Sequence, residues 1–214
     1  MMTGRIGRKF AAALALCALV LGGWALAGAA PARAQGAEPA ARISAFYTAL
    51  LDTMKRAKQL GPRGRYEKLA PVVMSTFDVA GMTRVAAGPG WERATSDQQA
   101  AMIDAFWRMM TATYASRFDD FAGENFEVSP AVDQPPAAKL VRTRLILGNG
   151  KTVALSYLMR NAAGGWKIAD VYLDGTISEL AARRAEFSSI IRSGGPDALV
   201  SSLRQKVDKL LAGT

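Results

Sequence analysis

Hydrophobic positions along this chain follow helical spacing at both ends and strand alternation between. From Arg42 to about Leu60, Ile43, Phe46, Leu50, Leu51 and Met54 recur at helical intervals until Gly61-Pro62-Arg63-Gly64 breaks the pattern. A shorter helix is expected from Arg65 to Met74 despite Pro71, another around Asp78 to Ala86, and residues 86–91, AAGPGW, read as a loop. The strongest helical signal follows at TSDQQAAMIDAFWRMMTATYASRFDDF. Thr95 with Gln98, or Ser96 with Gln99, fits a capping box, and Met102, Ile103, Phe106, Met109, Met110, Tyr114, Phe118 and Phe121 form one broad apolar stripe. Such a stripe needs a large apolar partner surface.

After Gly123 the period changes to two. Residues 126–132, 138–148, 151–160 and 165–173 read as strands, and Asn149-Gly150 between two alternating runs predicts a hairpin with a type I′ turn. Two helices close the chain. One starts at Thr176 or Ser178 and stops at Gly194; the other begins near Pro196 and carries Leu199, Leu203, Val207, Leu210 and Leu211. The expected fold is α+β: an antiparallel four-stranded meander with N- and C-terminal helices packed on one face.

Alternation sorts the faces of that sheet. Val141, Thr143, Leu145 and Leu147 share one side against Arg142 and Arg144; Val153, Leu155, Tyr157 and Met159 share another. On the last strand Val171 and Leu173 go with Lys167 and Ala169, and Trp166, Ile168, Asp170 and Tyr172 go together. One face is apolar enough to take the long helix, either as a filled core or as the wall of an apolar cavity. Stripe and alternation select Phe106, Met109, Met110, Tyr114, Leu145, Val153, Leu155, Tyr157 and Val171 as lining of such a cavity.

The first residues change the setting. Arg5, Arg8 and Lys9, an apolar run from Phe10 to about Ala30, and Ala32-Arg33-Ala34 form the pattern of a cleavable signal peptide over residues 1–34. The chain is therefore expected to be exported, with residues 35–214 as one domain. Removing the first 34 residues lowers the formal charge from +9 to +5, a basic balance suited to anionic lipid surfaces more than to nucleic acid.

The chain has no His, and its one Cys, Cys17, lies in the apolar run. Imidazole-activated nucleophiles and zinc sites built on imidazole or thiolate are excluded, and neither a metal nor a cofactor is expected. Chemistry is left to carboxylates, Lys, Arg and Tyr. Asp170 or Asp174 reads either as a general base in an apolar pocket or as part of a strand and its exit turn, Asp174-Gly175. Arg183-Arg184 reads as a phosphate or partner contact, or as a solvated helix face.

Two blocks carry a resemblance. STFDVAGMTRVAAGPGWERATSDQQAAMIDAFWRMMTATYASRF, and GWKIADVYLDGTISELAARRAEFSSIIRSGGPDALVSSLRQK, resemble the MlaC / toluene-tolerance family of periplasmic lipid-binding proteins. The wording LDGTISELAARRAEF is similar to the branch called HpnM, found with hopanoid biosynthesis. The resemblance implies the periplasm as location and a non-catalytic carrier with a lipid ligand, hopanoid or phospholipid, that docks transiently with inner-membrane and outer-membrane transport complexes.

Overall fold

A computed structural model of the chain describes residues 38–212. The expected signal peptide lies outside the described residues. The helices that open the fold are α1 (Pro39–Lys55), α2 (Ala57–Thr76), α3 (Val79–Ala87), α4 (Pro89–Arg93) and α5 (Ser96–Arg117). Strands β1 (Asn125–Val128), β2 (Val132–Gln134), β3 (Ala138–Ile146), β4 (Thr152–Ala162), β5 (Gly165–Leu173) and β6 (Ile177–Ser178) follow, and α6 (Glu179–Ala212) ends it.

The helix ends obey local chemistry. Thr95, and not Ser96, caps α5: its hydroxyl accepts from the Gln98 N–H at 3.2 Å while Gln98 Oε1 accepts from the Thr95 N–H at 3.1 Å. The break at 61–64 is a kink inside α2, centred on Gly61 at φ 62°. The two closing helices are likewise one bent element, because Gly195 at φ 76° turns the chain and Pro196 restarts it. The loop expected at 86–91 holds the short helix α4, which fits against α6 since Gly90 has no side chain; a Cβ there would meet Ile191 Cγ2 at 2.6 Å.

The sheet is antiparallel, in the order β1-β3-β4-β5-β6, with β2 also paired to β3. It therefore has more strands than the expected four. The segment read as one strand at 126–132 is broken, because five residues on the edge, Val128 to Val132, face only four on β3, Thr143 to Leu140. Pro130 has no N–H to give the ladder, so the extra residue collects there. The Asn149-Gly150 hairpin forms, but only Gly150, at φ 80°, has positive φ. The loop is thus not type I′; the Leu147 N–H donates to the Lys151 carbonyl and the Gly150 N–H to the Leu147 carbonyl, both at 2.8 Å.

The helices cover the inner face of the sheet. Val141, Thr143 and Leu145 are buried there while Arg142 and Arg144 point outward, Arg144 to its cross-strand neighbour Glu127. On β5 the sorting needs correction. A bulge puts Leu158 opposite Asp170 but Met159 opposite Ile168, leaving Ala169 unpaired. Ile168 therefore shares the inner face with Val171 and Leu173, while Lys167, Asp170 and Tyr172 share the outer one. Ile168 is fully buried.

Candidate functional site

The inner face of the sheet and the long helix do not meet everywhere. The sheet packs on α1, α2, α3 and the start of α6, whereas α5 packs on α2, α3 and α6. Between α5 and the sheet lies a cavity of about 250 Å³. Phe106, Met109, Met110 and Tyr114 line it from α5; Leu145, Val153, Leu155, Tyr157 and Val171 line it from β3, β4 and β5. The structure thus brings all nine sequence-selected residues around one space.

The lining also includes residues the patterns did not single out. Tyr47, Leu50, Phe77 and Met82 close the buried end, and Phe126 and Leu173 extend the wall. The stripe read for α1 includes Leu50 but not Tyr47, and nothing in that stripe says which partner it meets. Thr113, Arg117, Phe118, Glu179, Leu180 and Arg183 complete the lining where the exposed Arg117 and the half-buried Glu179 and Arg183 mark the open end. Arg183 and Arg184 part company here. Arg183 lines the cavity; Arg184 is exposed and sits beside Gly88.

Aromatic rings give the buried end its shape. Tyr47 stacks on Phe126 at 3.8 Å between centroids, and Tyr114 lies between Phe46 at 5.3 Å and Phe77 at 5.8 Å. Three of the hydroxyls here are paired with one another. Tyr47 Oη donates to Tyr157 Oη at 2.8 Å and pairs with Thr143 Oγ1 at 2.7 Å, and Thr143 also reaches the Leu155 carbonyl at 3.2 Å. Burial pushes the Tyr47 phenol up to about 12 despite these bonds, and it pushes Tyr114 and Tyr157 up as well. The three phenols are neutral at any ordinary pH.

Asp170 stands on the other side of the sheet and is not part of the lining. Its carboxylate accepts from the Val171 N–H at 2.7 Å, the Ser178 hydroxyl at 2.7 Å and the Leu180 N–H at 3.1 Å. Ser178 Oγ in turn accepts from the Ala181 N–H at 2.9 Å. The pair forms the start of α6, so the base reading of Asp170 fails on geometry. Asp174, at φ 49°, forms the exit turn with Gly175. Among the described residues no group of three or more His, Cys, Asp or Glu side chains is placed to hold a metal, and no helix is long and apolar enough to cross a membrane.

Residues 44–205, which hold both the sheet and the long helix, match a family described as MlaC protein. The chain belongs to the MlaC family. Among solved structures, this MlaC-family chain is similar to a phospholipid-binding protein from Ralstonia solanacearum in complex with a phospholipid. The two are 23% identical, with a TM-score of 0.71, over 81% of this chain and 99% of that one. The fold is shared. No curated protein matches the chain.

Proposed function

We propose that this MlaC-family chain is an exported lipid carrier, taking phospholipid or hopanoid through the periplasm between inner-membrane and outer-membrane complexes. The observation that carries the reading is the cavity: a continuous apolar lining of side chains from α5 and three strands, open at one end and closed by rings at the other. The phospholipid complex of the Ralstonia solanacearum protein supports it, as does the signal-peptide pattern at residues 1–34. The hopanoid alternative rests on the LDGTISELAARRAEF wording.

The energetics explain why such a carrier needs no catalytic group. Each buried CH₂ is worth about 0.8 kcal/mol, so a lipid of about thirty methylenes would lose on the order of 20 kcal/mol in passing from bilayer to water. An apolar interior offsets that loss; a reactive group adds nothing.

The test is solvent extraction and mass spectrometry of lipid that co-purifies with residues 35–214 from the periplasm of a hopanoid-producing host. Phospholipid or hopanoid in stoichiometric amount is the expected result. Leu155→Asp puts a carboxylate on the inner face and should lose the lipid, whereas Asp208→Asn, a surface change, should keep it. A folded Leu155→Asp protein that still carries a full load of lipid would show that the cavity is not the binding site.

A further inference from the structure

The open end of the cavity differs in chemistry from the rest. Arg117, on the last turn of α5, and Arg183, on the second turn of α6, both line it, with Glu179 beside them. Arg117 is exposed and makes no ion pair or hydrogen bond with the described residues. Arg183 places one terminal nitrogen on Glu186 at 2.7 Å and spends no other nitrogen on the described residues. Two guanidinium groups from different helices thus border one opening with most of their donors unspent.

One turn inward from Arg117, Tyr114 lines the same space. Its ring is held by Phe46, Phe77 and Phe118, yet its hydroxyl makes no hydrogen bond with the described residues. On this half-buried residue the hydroxyl is left free to bond a ligand atom placed in the cavity. Burial raises the Tyr114 phenol most, and the charges of Arg117 and Glu179 both reach it, Arg117 opposing that rise and Glu179 adding to it. Cation and phenol therefore address one region.

We propose that Arg117, Arg183 and Tyr114 form a headgroup subsite for a phosphate-bearing amphiphile. The two guanidiniums take the phosphate oxygens, and Tyr114 Oη donates to an ester oxygen just inside. Guanidinium suits phosphate because its planar donors meet two oxygens at once. Glu179, the one carboxylate among the described lining residues, offsets one of the two positive charges. The opening then matches the single negative charge of a phosphodiester better than a dianion. This inference rests on the carrier reading and narrows its cargo, since a neutral polycyclic lipid gives the two arginines nothing to bind.

The test is a competition read by native mass spectrometry: delipidated protein is offered equal amounts of dipalmitoylphosphatidylglycerol and dipalmitoylglycerol, which differ only in the headgroup. The wild-type chain should prefer the phosphatidylglycerol about tenfold, the worth of one or two charge-assisted hydrogen bonds. Arg117→Gln with Arg183→Gln should bring the ratio towards one, and Arg117→Gln alone, at an exposed position, carries the test if the double variant is unstable. Tyr114→Phe should weaken both lipids by a similar factor, because both carry the esters. A wild-type ratio near one, or a ratio that survives the arginine substitutions, overturns the subsite and leaves the carrier standing. Failure to bind either lipid overturns both. Inorganic phosphate alone should not bind at millimolar concentration; if it does, the site takes free phosphate and the assignment to an amphiphile fails.

Discussion

Tyr47 shows how one residue reconciles an apolar cavity with polar atoms. Its hydroxyl joins Tyr157 and Thr143, so three hydroxyls from α1, β4 and β3 satisfy one another away from water. Removing the middle one by Tyr47→Phe strands a buried Tyr157 hydroxyl and should cost about 1–3 kcal/mol, read as a lower urea midpoint. The same residue sets an alkaline limit. Its phenol ionises near 10.0 in the unfolded chain and at about 12 in the folded one, so the folded state keeps a proton that the unfolded state sheds. Stability is unaffected below pH 10 and falls as pH rises from 10 towards 12, by about 1.4 kcal/mol per pH unit for each such tyrosine. Tyr114 and Tyr157 are raised too and steepen the fall. Urea titrations across that range should show the slope, and Tyr47→Phe should reduce it by one proton. Tyr157 and Tyr114 are legible in the sequence, because alternation on β4 and the stripe on α5 each point one way. Tyr47 is not, since its partners lie 96 and 110 residues away.

At the scale of elements, β5 and the start of α6 are one construction. The bulge at Ala169 turns Asp170 outward, where its carboxylate receives the Ser178 hydroxyl and the Leu180 N–H. That contact fixes where α6 begins, and so where Glu179, Leu180 and Arg183 stand at the cavity opening. Asp170→Asn removes the negative charge facing the helix start and should destabilise the fold by about 1–2 kcal/mol. Hydrogen exchange should rise first over residues 179–183, while lipid carriage should fall less than in Leu155→Asp. Unchanged stability would mean that the first turn of α6 holds without the carboxylate. The sequence marks Asp170 as strange in a strand, and it offers Ser178 as a helix start. It does not reveal the bulge, because period two continues unbroken as text through Ala169, and only cross-strand pairing shows that Ile168 and Val171 share a face. Arg117 gives no signal in the sequence, and Arg183 reads there as either a phosphate or partner contact or a solvated face, since a cation near a helix end has the same spacing in both settings.

For the whole molecule the decisive quantity is the space between α5 and the sheet. At about 250 Å³ it falls just below the roughly 300–1,000 Å³ that holds a drug-sized ligand, and a two-chain lipid is larger still. Carriage of such a lipid therefore requires the two layers to separate. The architecture favours separation of α5 from the strands, because α5 packs on α2, α3 and α6 while the sheet packs on α1, α2, α3 and the start of α6. Kinks at Gly61 and Gly195 already divide the helices on which α5 rests. Residues 35–214 contain no Cys, so a label pair introduced by Asp119→Cys and Lys151→Cys, beyond the end of α5 and at the β3–β4 hairpin, reports the opening cleanly. Pulsed electron spin resonance should give a longer distance with a two-chain phospholipid bound than with a single-chain one. An equal distance for the two would mean that only one chain enters and the second lies outside the cavity, which would make this chain a holder of single acyl tails and assign the apolar rim at Phe118 and Leu173 to the other.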